Sequence, residues 1–464
     1  MKRILLIIPA ILCVFCMKAQ DVAGQWNGIL KVQGTQLRLV FNIVKSGNGY
    51  ISTMDSPDQG AMGISVSTTV FENSVLKLAV LSAKIEYEGV LDKNNFIIGN
   101  FKQMGQSFPL NLSKEKITTQ KPIRPQEPVK PYPYYSEDVM FDNAGAGIKL
   151  AGTLTLPKKE GNFPAVILIS GSGPQNRDEE LLGHKPFLVL SDYLTKNGIA
   201  VFRYDDRGTA LSQGVFKTAT TADFSTDAAA AVKYLKSRRE INKNKIGLIG
   251  HSEGGIIAPL VAADSKDIYF IVLMAGTGIP GDKLMLLQQE LIARAAGASE
   301  IQIQQSLNIN RDAFKIIAKS DNPDKLNRDL SAYLRQILKD HPEKPEGITD
   351  SAFIQKQINQ ITGTWMQYFL KYDPAAALAK VKCPVLALNG EKDLQVPPKI
   401  NLNAIQNALE KGGNKKVAVK ELPGLNHLFQ ECKTGSPSEY AVIEQTISPI
   451  ALTEILNWIK LQLK

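Results

Sequence analysis

The chain has 464 residues, which exceeds the usual length of one folded domain, and its 44% hydrophobic and 21% charged residues are typical of globular proteins. The formal net charge of +9 is spread along the sequence and is not gathered into one basic stripe, so the pattern of a nucleic-acid-binding protein is absent. We therefore expect two or three globular units and no nucleic-acid partner.

The first twenty residues have the pattern of a secretory signal peptide. Lys2 and Arg3 precede an apolar run over 4–17, which leads into Lys18-Ala19-Gln20. This run is too short to span a bilayer comfortably, and no later stretch reaches about 18 apolar residues. The sequence predicts export to the periplasm or the extracellular space, with no stable membrane span after the signal is removed. An uncleaved N-terminal anchor is the alternative.

Removal of the signal would leave two cysteines, Cys383 and Cys432. Two cysteines in a chain of this length do not form a disulfide framework. They are expected either as one pair or as two buried thiols, and the sequence does not decide between these.

Residues 21–113 alternate short β-type runs with turn signals, and the runs are Leu37–Val44, Leu76–Leu81 and Lys84–Leu91. This pattern predicts a small all-β, barrel-like domain. Gly24-Gln25-Trp26 resembles the Gly-x-Trp opening of lipocalin-like barrels. The segment carries no cluster of histidine, cysteine or carboxylate residues with catalytic spacing, so we expect a binding or packing module.

A proline-rich segment over 114–135 separates this domain from the rest of the chain. Five prolines fall between 122 and 133, interleaved with charged residues. Proline at this density disfavours helix and sheet and favours an extended spacer. We expect the domain boundary here.

Residues 136–464 predict an α/β fold with a mostly parallel, doubly wound sheet, because short apolar runs alternate with helical patterns. The predicted strands are 165–169, 199–204, 246–249, 268–274, 385–388 and 417–422, and the predicted helices include 186–196 and 223–238. Ser448 and Pro449 predict the start of a closing helix. The segment from about 278 to 373 has helical patterns without a strand, which predicts a helical cap inserted over an active site.

Gly250-His251-Ser252-Glu253-Gly254 lies between a predicted strand and a predicted helix. In such a sharp turn the flanking glycines avoid clashes with neighbouring backbone, and the serine hydroxyl projects from the sheet at a helix N-terminus. The spacing predicts Ser252 as a nucleophile, with the Glu253 N–H facing a developing oxyanion.

A serine needs a base, and the chain has four histidines, at positions 184, 251, 341 and 427. His427 follows the strand 417–422 on a loop, where strand ends deliver catalytic groups. Asp393 follows the strand 385–388 and would orient the imidazole. The order serine, aspartate, histidine agrees with this fold. Glu391 and Asp282 are the competing carboxylates, and Asp205 and Asp206 are assigned to a structural turn with Arg207.

The second oxyanion donor is expected after the strand 165–169. Ser170-Gly171-Ser172-Gly173-Pro174 follows that strand directly, and its glycines let the backbone approach a substrate. We assign this role to the N–H of Ser172.

Four motifs together resemble the α/β-hydrolase superfamily, in its bacterial esterase branch similar to serine aminopeptidases: Ser-Gly-Ser-Gly-Pro with Arg177-Asp178, the segment 203–208 (Arg-Tyr-Asp-Asp-Arg-Gly), Gly-His-Ser-Glu-Gly-Gly, and Gly424-Leu425-Asn426-His427. The resemblance covers about residue 135 to the end. It implies acyl transfer to water through an acyl-enzyme, with no metal or organic cofactor. Many such proteins carry an N-terminal β-rich domain.

Three functions remain open from the sequence. The first is a carboxylesterase for a small-molecule ester, whose acyl group would contact the apolar cap residues Leu284, Leu287, Leu291, Trp365, Met366 and Phe369. The second is an aminopeptidase or thioesterase on the same fold; a peptidase should have a carboxylate for the substrate's free amine, and Glu290 and Glu300 are candidates by location. The third is a non-catalytic binding module. The oligomeric state is not predicted.

Overall fold

The computed structural model describes residues 21–32, 35–47, 49–59, 61–103, 106–117, 124–340 and 349–464. These residues form two compact units, one made by the described residues up to 117 and one by 124–340 and 349–464. The predicted signal peptide, part of the predicted linker and His341 lie outside the described residues.

The first unit is one curved antiparallel sheet. Its described strands are β1 Gly24–Val32, β2 Thr35–Ser46, β3 Gly49–Ser56, β4 Ala61–Ser65, β5 Thr68–Glu72, β6 Val75–Val80, β7 Ile85–Leu91, β8 Phe96–Gln103, β9 Gln106–Pro109 and β10 Leu112–Ser113. Their order is β4-β3-β2-β1-β10-β8-β7-β6-β5, and β9 pairs with β8. The hydroxyls of Ser52 in β3 and Thr69 in β5 lie 2.5 Å apart, so the two ends of the sheet approach each other. The predicted barrel-like β unit is confirmed.

The core of this unit comes from the two-residue period of its strands. Side chains of β7 alternate strictly between buried and exposed, as in a sheet with one solvated face. Trp26, Phe41, Tyr87 and Phe101 are buried on the inner face, and Trp26 Nε1 donates a hydrogen bond to the Val22 carbonyl at 2.7 Å. The tryptophan of the Gly-x-Trp motif is therefore a core residue.

The second unit has a mostly parallel sheet. Its described strands are β11 Tyr135–Asn143, β12 Ile148–Leu156, β13 Phe163–Ile169, β14 Ala200–Tyr204, β15 Ile241–His251, β16 Phe270–Met274, β17 Val385–Gly390 and β18 Val417–Leu422. Their order is β11-β12-β14-β13-β15-β16-β17-β18. The pairs β11–β12 and β12–β14 are antiparallel, and every other pair is parallel. The six predicted strands are present, whereas the opening hairpin β11–β12 was not predicted from the sequence.

Helices cover both faces of this sheet. The described helices are α1 Pro186–Lys196, α2 Thr221–Ser237, α3 Gly254–Asp264, α4 Gly281–Ala295, α5 Glu300–Lys319, α6 Pro323–Asp340, α7 Asp350–Ile361, α8 Thr364–Lys371, α9 Ala375–Leu378, α10 Pro398–Lys411 and α11 Pro449–Leu463. Neighbouring residues of β13 belong to opposite cores: Ile167 packs with α2 and α3, and Val166 packs with α1 and α11. Both faces are therefore buried, and the predicted doubly wound fold is confirmed.

The predicted helical cap is also confirmed. In the described chain between β16 and β17, α4 to α8 occupy most of the segment predicted as cap. The cap has an apolar core of its own, in which Phe314, Ile317, Leu330 and Ile358 are buried. This separate core makes the cap a distinct layer of the second unit.

The second half of the proline-rich segment packs against the second unit. Arg124 donates hydrogen bonds to the carbonyls of Leu182, Ala441 and Ile443. The Gln126 side chain donates to the Ile447 carbonyl and accepts from the Thr446 and Ile447 N–H groups. These bonds fix residues 124–126 beside the segment that precedes α11.

None of the helices in the described ranges has both the length and the apolar character needed to cross a membrane.

Candidate active site

Ser252 lies in a tight turn between β15 and α3. Its φ of +53° is in the left-handed region, which costs energy for a residue with a Cβ. The turn leaves no room for side chains at its flanks: a Cβ on Gly250 would lie 2.0 Å from the Gly254 carbonyl oxygen, and one on Gly254 would lie 2.1 Å from the Ile169 oxygen. The Ser252 N–H donates to Met274 O at 2.8 Å. The strained turn is therefore held at the carboxyl ends of β15 and β16, with the serine half-buried.

His427 and Asp393 meet at the carboxyl ends of β17 and β18. His427 Nδ1 and Asp393 Oδ2 lie 2.8 Å apart, and both residues are buried. The other oxygen of Asp393 accepts hydrogen bonds from the Gln395 and Val396 N–H groups, both at 2.8 Å. Because these bonds fix the carboxylate, its free oxygen is aimed at the imidazole. The loop carrying His427 is folded around Asn426, whose Oδ1 accepts from two backbone N–H groups.

The competing carboxylates lie elsewhere. Glu391 accepts a hydrogen bond from the Gly424 N–H, and Asp282 lies in the first turn of α4. Of the other histidines, His184 is buried between Thr446 and the Tyr440 carbonyl, and burial lowers its pKa to about 4. The two ring nitrogens of His251 contact Glu179 and the His427 carbonyl.

Ser252 and His427 are connected through the neighbour of the serine. His251 Nε2 lies 3.0 Å from the His427 carbonyl oxygen. The described residues include no hydrogen bond between the Ser252 hydroxyl and the His427 ring. The structure thus brings His427 and Asp393 into direct contact. The His251 side chain joins the elbow to the backbone of the histidine loop.

The loop that carries Ser172, one predicted oxyanion donor, passes close to the serine, and Glu253, the other, follows the serine directly in the chain. A Cβ on Gly171 would lie 3.2 Å from Ser252 Cβ, so the loop after β13 passes beside the nucleophile elbow. Within the described chain, the N–H groups of Ser172 and Glu253 donate no hydrogen bond, whereas that of Gly171 donates to Glu179 Oε1 at 2.7 Å. Two free backbone donors beside a serine can stabilise a negative oxygen.

The Glu253 side chain joins the elbow to the cap, which the sequence did not predict. Its Oε1 accepts from Thr221 Oγ1 at 2.6 Å and from Trp365 Nε1, on cap helix α8, at 2.7 Å. Burial raises the pKa of the Glu253 carboxyl above its ordinary value of 4.5, and these two hydrogen bonds oppose the increase. The cap is therefore anchored one residue from Ser252.

Four of the six predicted apolar cap residues pack near the elbow. Leu284 and Phe369 are buried with Ile256 of α3 and Val396, and Leu287 and Trp365 pack against this cluster. Met366 instead packs against the core of the cap, and Leu291 is half-buried. Part of the predicted apolar surface therefore belongs to the cap itself.

A second buried group was also missed. Glu179, in the loop before α1, is 5% exposed and has a φ of +50°. Its Oε1 lies 2.9 Å from His251 Nδ1. Glu179 belongs to no periodic pattern, so the sequence carries no signal for it.

The three polar residues assigned to a structural turn have separate partners. Asp205 pairs with Arg177 at 2.7 Å, Asp206 accepts from Ser170 Oγ at 2.9 Å, and Arg207 forms a buried pair with Asp227. They fix the strand end beside the oxyanion loop.

Cys383 and Cys432 are both free thiols.

Comparisons with known proteins agree with this architecture. The family model described as X-Pro dipeptidyl-peptidase (S15 family) matches residues 146–420, a segment that includes Ser252 and Asp393 and ends before His427. A relative, esterase EstD of Thermotoga maritima, is 27% identical over 333 residues, which cover 70% of this chain and 69% of that protein.

Solved structures with a similar fold include the α/β-hydrolase GrgF from a Penicillium species and the esterase Pf2001 of Pyrococcus furiosus. The first is 18% identical with a TM-score of 0.43, covering 71% of this chain and 99% of that one. The second is 17% identical with a TM-score of 0.40, covering 70% and 92%. The family match spans more than half of the sequence and the whole nucleophile elbow. The chain belongs to the X-Pro dipeptidyl-peptidase (S15) family of the α/β-hydrolase superfamily and is a serine hydrolase.

Proposed function

We propose that this protein is a carboxylesterase in which Ser252 is the nucleophile, His427 the general base and Asp393 the group that orients the imidazole. The observation that carries the proposal is the buried 2.8 Å contact between His427 Nδ1 and Asp393 Oδ2, beside a serine in a strained elbow. A carboxylate on Nδ1 fixes the tautomer in which Nε2 is free to accept a proton.

The reaction proceeds in two halves. Ser252 Oγ attacks the ester carbonyl carbon while His427 Nε2 takes the hydroxyl proton, and the carbonyl oxygen becomes an oxyanion held by the Ser172 and Glu253 N–H groups. Collapse breaks the bond to the alcohol, which leaves with the proton from His427. Water then gives a proton to His427 and attacks the acyl-enzyme, and Ser252 regains its proton as the carboxylic acid is released.

The cap supports a small ester with an apolar acyl group as the substrate. Leu284, Leu287, Trp365 and Phe369 form an apolar cluster with residues of α3 and the Asp393 loop. A relative that matches 70% of this chain is named an esterase, which favours the same substrate class.

Peptide hydrolysis is the second candidate, because the matching family is described as X-Pro dipeptidyl-peptidase. The carboxylates first considered for binding a substrate amine give it little support. Glu290 and Glu300 both pair with Arg294 on the outside of the cap, at 2.9 and 3.0 Å. These carboxylates already share an arginine partner and are at least partly exposed to solvent.

One experiment separates these functions. Wild type and Ser252→Ala are assayed on nitrophenyl esters from acetyl to dodecanoyl, on a nitrophenyl thioester and on an Xaa-Pro nitroanilide. The proposal expects ester turnover that the substitution abolishes, with a maximum at one acyl length. Higher kcat/KM on the nitroanilide would assign the protein as a peptidase, and turnover by the alanine variant would exclude Ser252 as nucleophile.

Activity on none of these substrates would favour the non-catalytic module. The pairing of Asp393 with a histidine beside a serine argues against it, since a chain released from catalysis has no need of a buried carboxylate on that histidine.

We also propose that the chain is exported, on the basis of the pattern over residues 1–20. Fractionation of the native host followed by N-terminal sequencing tests this. A mature chain that begins at Asp21 outside the cytoplasm is expected, whereas an intact chain in the cytoplasm would contradict export.

A further inference from the structure

His251 and Glu179 form a buried pair behind the elbow. Both are at most 6% exposed. Neither has a part in the two halves of the reaction. Even so, each contacts a loop that the reaction needs: His251 contacts the backbone of His427, and Glu179 contacts the backbone of Gly171.

The hydrogen-bond partners specify the protons on the imidazole. The His427 carbonyl can only accept, so His251 Nε2 must carry a hydrogen. On the other side, Glu179 Oε1 accepts from the Gly171 N–H at 2.7 Å and faces His251 Nδ1 at 2.9 Å. An ionised carboxylate accepts both bonds at once, and Nδ1 then carries a hydrogen as well. Both ring nitrogens are protonated in this arrangement.

The surrounding charges agree with a cationic ring. Burial is the largest single effect and opposes the charge, but the Glu179 carboxylate, the His427 carbonyl and Asp393 together outweigh it, so the pKa of His251 is raised above its ordinary value of 6.5. Asp393 contributes in the same direction from the loop after β17, and the His427 ring lies 4.9 Å away between ring centres. Asp206 lies near Glu179 on the other side, and burial raises its pKa well above its ordinary value.

We propose that Glu179 and His251 are a positioning pair, in which His251 as an imidazolium joins the His427 loop to the Gly171 loop around Ser252. This rests on the proposed function of Ser252 and His427. The pair places the base on one side of the serine and the Ser172 N–H on the other. Three loops from separate strand ends are thereby fixed by one ion pair.

Glu179→Gln tests the charge without changing the shape. At the position shared by the two contacts, the amide of residue 179 can present its oxygen to the Gly171 N–H or its NH₂ group to His251 Nδ1, but not both, and a neutral His251 has only one N–H. One of the bonds to Gly171, to the His427 carbonyl or between residues 179 and 251 is then lost. We expect kcat on a nitrophenyl ester to fall on the order of 10–100-fold, with KM changed less than about two-fold, because a small misplacement of catalytic groups costs this much.

The matched control is Glu240→Gln. Like Glu179, Glu240 is a buried carboxylate in an ion pair, but its partner is Arg238. It directly precedes β15, at the end of that strand opposite to His251. Loss of this ion pair changes stability without touching the elbow, so kcat should stay within about two-fold of wild type.

The double variant Glu179→Gln with His251→Gln tests whether the two residues act as a unit. The new amide at position 251 can donate to the His427 carbonyl and accept from the amide nitrogen of residue 179, which leaves the Gly171 N–H without its acceptor. If the two residues act as a unit, the double variant has a kcat no lower than that of Glu179→Gln alone. If the fold-losses of kcat in the two single variants instead multiply in the double variant, the residues act independently and the proposal is overturned. This comparison holds even where one single variant folds poorly.

A spectroscopic measurement tests the imidazolium directly. In full-length protein labelled with ¹⁵N-histidine, the signal lost in His251→Gln identifies His251. At pH 7 wild type should show both of its ring nitrogens protonated, and Glu179→Gln should show one. A neutral His251 in wild type, or an unchanged kcat in Glu179→Gln, would overturn the proposal.

The rate of Ser252 labelling by a fluorophosphonate separates this proposal from the ester assignment. Wild type that is labelled at Ser252 without ester turnover would contradict the ester substrate alone, and slower labelling of Glu179→Gln would still support the pair. Equal labelling rates in the two proteins would overturn it.

Discussion

Replacing Trp365 by phenylalanine removes the hydrogen bond between the cap and the nucleophile elbow. The indole N–H donates to Glu253 Oε1 at 2.7 Å, and Thr221 Oγ1 is the other donor to that oxygen. A hydrogen bond to a charged group contributes about 1.5–3 kcal/mol. The variant should therefore lower Tm by about 3–6 °C at pH 8.

The size of this loss should depend on pH. The folded-state pKa of Glu253 lies above its ordinary value of 4.5 because of burial, and the Trp365 hydrogen bond lowers it. A carboxyl with a raised folded pKa binds its proton more tightly in the folded chain, so stability falls as the pH rises from 4.5 through the folded pKa. Loss of Trp365 raises that pKa further. The variant's deficit in Tm should therefore be large at pH 8 and shrink towards pH 4.5.

Differential scanning calorimetry of wild type, Trp365→Phe and Trp458→Phe at both pH values is the assay. Trp458 lies on α11 and packs edge-on against Phe270 at 5.7 Å between ring centres, and among the described residues it has no carboxylate partner. Its substitution removes a similar ring and should give a deficit that does not change with pH. An equal deficit for Trp365→Phe at pH 8 and pH 4.5 would refute the hydrogen bond to an ionised Glu253.

Three further predictions concern the triad, a buried ion pair and a thiol. Asp393→Asn should reduce kcat on the preferred ester by about 10³–10⁴-fold with little change in KM, since the amide favours the wrong imidazole tautomer; steady-state kinetics measures this, and a loss below ten-fold would contradict the role. Arg207→Met should cost about 3–5 kcal/mol of unfolding free energy in urea, because it leaves the buried Asp227 without its arginine, and a cost below about 1 kcal/mol would contradict the pairing. Cys383 is half-buried, and burial raises its pKa to about 12, so it should react with a disulfide reagent far more slowly in the native chain than after denaturation; equal rates would contradict the raised pKa.

The sequence was informative where local rules decide the structure. Strands buried on both faces, such as β13 and β17, read as continuous apolar runs, and Ser448 with Pro449 marked the start of α11. The elbow was visible for a similar reason, because a serine with φ of +53° needs glycines at Gly250 and Gly254. Such features depend only on residues near each other in the chain.

The features that were missed depend on distant contacts. Strand β11 follows a proline-rich stretch, and its pairing with β12 decides that it joins the sheet. Glu179 and Trp365 look like ordinary polar and aromatic residues until the fold brings them to His251 and Glu253. No spacing rule links positions 72 or 112 residues apart, so only the three-dimensional structure identifies these contacts.

The central claim is that Ser252 is the nucleophile of an esterase. Its most direct test is to treat the protein with a fluorophosphonate, follow the loss of nitrophenyl ester hydrolysis, and map the modified peptide by mass spectrometry. The account predicts one adduct per chain, on Ser252, formed in proportion to the activity lost, and no adduct on Ser252→Ala. Full activity in the labelled protein, or an adduct on another serine that accounts for the loss, would contradict it.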